Sequence, residues 1–295
     1  MLQSIARVED KAVKSILVPI EDCPSVNAQL AAALCVSRQF DSHIDGIAPF
    51  NAIDSFAIGD GAVGVSTATI QSFERDQKDS TDKAQKIFRE FMRNNEMDWG
   101  DSIEPVDYST ADWLAERDGG DLAIGQLARL YDLTILARPV LNASVPRIAL
   151  LETVLFESGR PVLIVPPEAP KNLGHVVVLA WNGSAESARA ITFAQPFLRH
   201  AKRVVVLTVE GGTVAGPVAV EVEHMLLRAG IPAEVSDVQT AERSIGEAIL
   251  AEADQVGADL LIKGAYTHSR LRQMIFGGAT KHILAEANLP VLMVH

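Results

Sequence analysis

Lys14-Ser15-Ile16-Leu17-Val18-Pro19-Ile20-Glu21-Asp22 is an apolar run that closes on a polar turn, and the same figure returns as Val177-Val178-Leu179-Ala180-Trp181-Asn182-Gly183-Ser184. An alanine-rich, helix-favouring stretch follows each. The far ends of the two halves match as well. Asp132-Leu133-Thr134-Ile135-Leu136-Ala137 parallels Asp259-Leu260-Leu261-Ile262-Lys263-Gly264, and Arg160-Pro161-Val162-Leu163-Ile164-Val165 parallels Leu289-Pro290-Val291-Leu292-Met293-Val294. Self-similarity in this order means that one structural unit is written twice.

The spacing between matched positions locates where the halves differ. Glu21 pairs with Asn182 at an offset of 161, Asp132 with Asp259 at 127 and Pro161 with Pro290 at 129, so the first half carries a net insertion of 34 residues. Residues 51–95 are its natural place: 51–67 is a Gly/Ala/Ser-rich loop, and 70–97 is charged and helix-favouring. Ile70, Phe73, Phe88 and Phe91 suggest an amphipathic helix there, either packed on its own domain or serving as a lid or partner surface. The junction 166–174 is short and proline-rich, which predicts two domains, 1–167 and 175–295, held close together.

In the second half, 176–181, 204–209, 260–263 and 291–294 are continuous apolar runs, and 185–197, 218–229, 245–255 and 280–287 are helical in pattern. Runs apolar on both faces suit parallel strands covered on both sides, and their alternation with helices predicts an α/β fold of two tandem doubly wound parallel sheets. In such sheets ligands bind beyond the carboxyl ends of the strands, where the winding reverses. The turn at Asn182-Gly183-Ser184 and the loop that begins at Gly264 are therefore the places to search.

Composition bounds the rest. With 295 residues and 48% of them hydrophobic, the chain can bury an ordinary core in each half. A formal net charge of −12 argues against general attraction to nucleic acid or an anionic membrane. No apolar run reaches the roughly 20 residues of a membrane span, and the first ten residues lack an apolar signal core, so a cytoplasmic protein is expected. Cys23 and Cys35 have neither zinc nor Cys-x-x-Cys spacing and read as a turn residue and a buried helix residue. Nucleophile-elbow, Walker and His-Glu-x-x-His patterns are absent, and Asp107, Asp112, Glu152 and Glu157 have no spacing suited to acid/base work. No residue is assigned a catalytic or metal-ligating role.

The richest segment is Gly264-Ala265-Tyr266-Thr267-His268-Ser269-Arg270-Leu271-Arg272-Gln273-Met274-Ile275-Phe276-Gly277-Gly278-Ala279-Thr280. A glycine leaves the strand, a polar basic loop follows, and a glycine pair opens the last helix. Glycine permits close backbone approach, and free amides at a helix N-terminus favour an anion such as phosphate. Thr280 can add a hydroxyl, and His268, Arg270 or Arg272 a positive charge; a solvated charged loop is the alternative. Trp181 suits either a base-packing wall or the core.

Here the chain resembles the universal stress protein family in its tandem two-domain form. Nucleotide-binding members carry Gly-x2-Gly-x9-Gly-(Ser/Thr) after the fourth strand and an aspartate at the end of the first. Gly264 and Gly277 match the outer glycines, while Thr267 replaces the middle one, Gly278 the Ser/Thr and Asn182 the aspartate. The resemblance implies an adenine nucleotide, ATP or AMP, in the second domain, with Mg accompanying ATP. Its residues would be Ala180, Trp181, Asn182, Gly183, Ser184, Gly264, His268, Arg270, Gly277, Gly278 and Thr280. It further implies pairing of the last strands of the two domains, 161–165 and 289–294, as an intramolecular pseudo-dimer, besides homodimers in the family. In the first half Glu21 keeps the acid, but Ala137-Arg138-Pro139 and Ile148-Ala149 replace the glycines, so a structural or interaction role is expected there.

Three readings stay open on the sequence. One is a noncatalytic stress-response regulator whose nucleotide state governs contacts with a protein partner. The second is a slow Mg-dependent ATP hydrolase. The third is a nucleotide-free scaffold that grips a ligand or partner with 51–95.

Overall fold

In each half the first strand is a short run of buried apolar residues. Ser15–Pro19 forms β1 and Val176–Ala180 forms β7, with all but the first residue of each buried on both faces. The structure is a computed structural model that describes residues 13–49, 67–100, 107–115, 119–139, 147–265 and 278–295; the side chains of 67–70 and 73 are likewise outside it.

The first half continues through α1 (Val26–Phe40), β2 (His43–Ile47), α2 (Thr67–Asn94), β3 (Asp98–Trp99), β4 (Thr110–Trp113), α3 (Gly120–Leu127), β5 (Leu133–Ala137), α4 (Ile148–Glu157) and β6 (Val162–Val165). After β7 come α5 (Ala185–Phe193), α6 (Gln195–His200), β8 (Arg203–Val209), α7 (Ala219–Arg228), β9 (Ala233–Val238), α8 (Ile245–Gln255), β10 (Leu260–Gly264), α9 (Gly278–Glu286) and β11 (Val291–Val294). All lie on one eleven-stranded sheet of order β3-β4-β2-β1-β5-β6-β11-β10-β7-β8-β9. Within each half every pairing is parallel, and the winding reverses at β1 and again at β7. At the centre β6 and β11 pair antiparallel, Val162 opposite Met293 and Ile164 opposite Val291.

Two apolar layers sandwich the sheet. One packs α1, α2, α5, α6 and α7 through residues such as Leu30, Phe88, Ile191, Phe197 and Leu226; the other packs α3, α4, α8 and α9 through Ile124, Val154, Ile249 and Ile283. Phe40 at the end of α1 meets Phe197 of α6 edge to face, 5.3 Å between ring centroids, so the first layer also crosses between the halves.

Two differences from the sequence reading have plain causes. The helix expected over 185–197 is two helices, because Pro196 has no N–H for an unbroken ladder and sits in the first turn of α6. The third strand of the second half, β9, was not anticipated, because it is an edge strand whose residues are half-buried or exposed and lacks an apolar run. The helix expected in 70–97 is α2; it packs Ala84, Phe88 and Met92 into the core, while Ile70 and Phe73 lie outside the described side chains. Gly46 on β2 makes room for this, since a Cβ there would lie 2.9 Å from the Phe88 ring and 2.8 Å from Trp113. The same crossover in the second half holds the much shorter α7, so much of the insertion lengthens an element that both halves share.

Cys23 is buried in the turn before α1, and Cys35 is half-buried on α1, where burial pushes its thiol pKa up. Among the described residues no helix is long and apolar enough to cross a membrane.

Candidate functional site

The chemistry of both halves converges on the carboxyl edge of the sheet, at the strands where the winding reverses. The loops there are placed by matched anchors at the opposite edge. Asp132 accepts hydrogen bonds from the backbone N–H of Lys14 and Ser15 (2.9 and 3.1 Å), and Asp259 does the same for Gly174, His175 and Val176 (3.0–3.2 Å). These two aspartates fix the entry of β1 against β5 and of β7 against β10, which accounts for their recurrence at matched positions of the sequence.

In the second half, the turn after β7 folds tightly. Asn182 Oδ1 accepts from Ser184 N–H (3.2 Å), and Ser184 caps α5 by accepting from Ser187 N–H (3.2 Å). Gly183 has φ +84°, and the loop after β8 closes over it through Val214 N–H to Asn182 O (2.8 Å). A Cβ on Gly183 would lie 2.8 Å from Val214 O, so glycine here serves one loop crossing another. Trp181 is buried in the core and donates from Nε1 to Pro217 O (2.8 Å); its ring is core, not a wall open to a base. Ala180 is buried beside it at the end of β7.

Gly264, where β10 ends, has an equally specific cause. A Cβ there would come within 2.5 Å of Ser187 N and of the Glu186 carbonyl carbon. The glycine thus lets the amino end of α5 rest on the end of β10, a packing reason distinct from approach to phosphate. Its neighbour Lys263 is buried, and Nζ donates to Gly264 O (2.7 Å) and to Thr280 Oγ1 (2.9 Å) in the first turn of α9. Burial pulls the Lys263 ammonium down to about 8. Gly278 is exposed, with nothing within 4 Å of the place a Cβ would take. Of the residues assigned from sequence, therefore, Ala180, Asn182, Gly183, Ser184, Gly264, Gly278 and Thr280 gather at this edge, while Trp181 turns into the core. His268, Arg270 and Gly277 lie outside the described residues.

The corresponding edge of the first half is built on charges that sequence reasoning left unconnected. Arg147, at the mouth of α4, donates from its backbone N–H to Glu21 Oε2 (3.0 Å) and from Nε to Glu21 Oε1 (2.7 Å). Its Nη2 lies 2.7 Å from Asp121 Oδ1, in the first turn of α3. Glu21 thus places a carboxylate at the amino end of α4, where the helix dipole favours one. Burial raises the Asp121 pKa; Arg147 works against that rise and Glu21 adds to it. The only sequence signal for the triad was the acid at position 21; its partners are remote along the chain.

Among the described residues no group of three or more His, Cys, Asp or Glu is placed to hold a metal ion. What the fold and edge define is a doubly wound α/β protein whose two halves present different groups at the carboxyl edge of the sheet, paired charges in the first and a buried lysine beneath the first turn of α9 in the second.

The comparisons agree with that class. Residues 175–295 match the model of the universal stress protein family. Over 149 residues it is 28% identical to the universal stress protein Slr1230 of a Synechocystis strain, covering 48% of this chain and 49% of that protein. Over 58 residues it is 31% identical to the stress response protein NhaX of Bacillus subtilis, covering 20% of this chain and 35% of that one. The matched stretches thus span half or less of these curated relatives. The crystal structure of a universal stress protein from Archaeoglobus fulgidus shares the fold, with a TM-score of 0.68 at 14% identity over 95% of this chain and 97% of that one.

Proposed function

We propose that this is a noncatalytic stress-response protein of two domains, 1–167 and 175–295, whose second domain binds an adenine nucleotide, ATP or AMP, and whose nucleotide state governs contacts with a protein partner. The observation that carries the reading is the edge formed by the ends of β7 and β10 and the first turn of α9. There Gly278 is open to solvent, Thr280 holds a hydroxyl, and Lys263 supplies a cation. These groups suit a phosphate, which helix N-termini and charge-assisted donors favour. Asn182 and Ser184 stand at the neighbouring strand end; both are used in the turn and cap, so the adenosine end would be held chiefly by shape and backbone. The Glu21–Arg147–Asp121 edge, whose charges pair with one another, supports leaving the first domain a structural or interaction role.

Native mass spectrometry of freshly purified protein, followed by calorimetric titration with ATP and Mg, tests the reading. One adenine nucleotide per chain, retained or titrated, is expected, and Gly278→Asp should abolish it. That variant has room for its side chain and places a favourable acid at a helix N-terminus, so it keeps the fold while repelling phosphate. Absence of ATP and AMP binding in the wild type would overturn the proposal; magnesium-dependent turnover would replace it with the hydrolase reading.

A further inference from the structure

The internal repeat supplies a control for the outer edge of the first half. Among the described residues that half has six strands where the second has five, and the additional one is β3, which ends the sheet beyond β4. The helix leading to it, α2, has 28 residues against 10 in α7. What sets the first half apart therefore meets on one surface, where the last turns of α2 lie beside β3.

That surface is firmly held. Arg38 of α1 donates to Asn95 O (2.9 Å) and Met97 N–H donates to Met92 O (3.1 Å), which fixes the turn between α2 and β3. Gly100 N–H donates to Ala111 O (3.1 Å), and Trp99 is paired with Ala111 in the parallel ladder. Successive residues of a strand turn their backbone groups to opposite sides, so the N–H and C=O of Trp99 face away from β4, at the open edge. Both residues of β3 are exposed, and Trp99 keeps 45% of its surface open. Its ring stands edge-on to Phe88, 6.1 Å between centroids, and carries the Arg89 guanidinium 5.1 Å from its centre.

Between this ring and α2 runs an open groove of about 590 Å³. Lys86, Arg89 and Arg93 lie along its helix side at i, i+3 and i+7, and Met97 adds an apolar wall beside Trp99. Lys86 is 4.0 Å from Glu90, but among the described residues Arg89 and Arg93 have no ion pair. In a chain of net charge −12 this is a local reversal of sign. A basic stripe on an exposed helix is ordinarily just solvated. Here it coincides with an open tryptophan and an unpaired strand edge.

We infer that this edge is the docking surface for an extended acidic segment of a protein partner, which adds to β3 as a further strand. The backbone of that segment meets the N–H and C=O of Trp99. On the α2 side it places carboxylates on Arg89 and Arg93 and an apolar group against Trp99 and Met97. Alternate side chains of a strand stand about 7 Å apart, and Arg89 and Arg93 are about 6 Å apart along α2, so acidic residues two positions apart suit both. Tryptophan, arginine and methionine are also residue types enriched in protein interfaces. A nucleic acid would bring an unbroken row of phosphates, which Asp82 and Glu90 in the groove and the exposed Asp98 oppose. The inference rests on the partner contact of the proposed function and not on its nucleotide.

An array of acetylated, amidated octapeptides tests this, with Thr at alternate positions and Glu, Phe, Lys or Ser in every arrangement between them. Scrambled octapeptides that put the same residues side by side serve as controls. The full chain is applied to the array, and bound peptides are then titrated in solution by tryptophan fluorescence. Peptides with two Glu and one Phe on the same face are expected to bind. Arg89→Gln/Arg93→Gln should weaken them about ten-fold, the scale of two exposed ion pairs. Lys78→Gln/Lys83→Gln makes the same change of charge on α2 outside the groove and should leave them unchanged. All four side chains are exposed, so both variants keep the fold. Binding of no peptide, preference for Lys, equal binding of the scrambled controls, or equal affinity in the two variants overturns the inference. Binding of oligouridylate that is lost in Arg89→Gln/Arg93→Gln also overturns it and assigns the surface to nucleic acid. Titration of the same samples with ATP separates the two proposals: peptide bound without ATP supports the inference and overturns the nucleotide reading, and ATP bound without peptide does the reverse.

Discussion

At the reversing strand of the first half, Pro19 brings no N–H to the ladder, and β1 pairs with β5 only at Ile16–Leu133 and Leu17–Thr134. Gln29 of α1 supplies the missing donor, reaching Pro19 O (2.9 Å) and Ile135 O (2.8 Å) with one amide nitrogen. In the second half Ala180 keeps its N–H, β7 and β10 pair over four residues, and Ala190 stands in place of Gln29. The same contrast holds farther out, where Glu21, Arg147 and Asp121 pair with one another and Lys263 has no carboxylate partner among the described residues. The two halves of the sheet thus differ in how they use charge: the first pairs its charged side chains with one another, and the second keeps a regular sheet and buries a lysine beneath the first turn of α9. The copies remain coupled, because Arg138 of the first half donates to Ala287 O at the carboxyl end of α9 (2.6 Å), the helix whose amino end forms the candidate site.

The largest effect that would sharpen this contrast comes from Lys263. Its pKa falls from 10.5 in the unfolded chain to about 8 in the fold, a penalty on the order of 3 kcal/mol at neutral pH. Between those values the unfolded chain binds more protons than the native one, so this penalty fades as pH rises from 8 towards 10.5. Lys263→Met should therefore exceed the wild type in stability most at pH 7, with the two converging near pH 10, as followed by urea denaturation. A constant difference across that range would mean that the ammonium is not the source of the cost.

How much of this was legible in the sequence depended on burial. β1, β5, β6, β7, β10 and β11 lie in the middle of the sheet, and two covered faces force the apolar runs that expose the repeat. β2 is also interior, yet reads His-Ile-Asp-Gly-Ile, because Asp45 is satisfied by Tyr131 Oη (2.6 Å) and His43 Nε2 (3.2 Å), a tertiary fact. At the site, the sequence points to Gly264 and Gly183 as places of close backbone approach, and the structure gives both a packing cause. Glu21 was seen as an acid without its arginine, since 126 residues separate them. Lys263 was passed over as one lysine in an apolar strand, although a charge in a run meant to be covered on both faces was itself the signal.

A smaller effect tests the pairing of charges in the first half. Arg147→Met keeps the backbone N–H for Glu21 but removes the guanidinium between Glu21 and Asp121, leaving two part-buried carboxylates facing each other. Breaking a buried pair costs about 3–5 kcal/mol; partial exposure of these side chains reduces the expected loss to about 2 kcal/mol at pH 7. Without Arg147 the Asp121 pKa rises further, so the variant's deficit should shrink as pH falls towards 5. A deficit that grows on acidification would show that the triad is held by something other than this charge balance.

The smallest effect compares the helix starts that follow the two reversing strands. Ser184 caps α5 through its hydroxyl (3.2 Å to Ser187 N–H), whereas Ser25, the residue before α1, makes no side-chain cap and lies 3.5 Å from Cys23 Sγ. Removing a working serine cap costs about 1 kcal/mol. Ser184→Ala should lower stability by about that amount and Ser25→Ala by less than half of it, read from denaturant midpoints at constant slope. Because α5 also rests its amino end on Gly264, Ser184→Ala should weaken ATP binding as well, while Ser25→Ala leaves it unchanged. Equal effects of the two substitutions on ATP affinity would mean that the difference between the halves does not extend to the helices that follow their reversing strands.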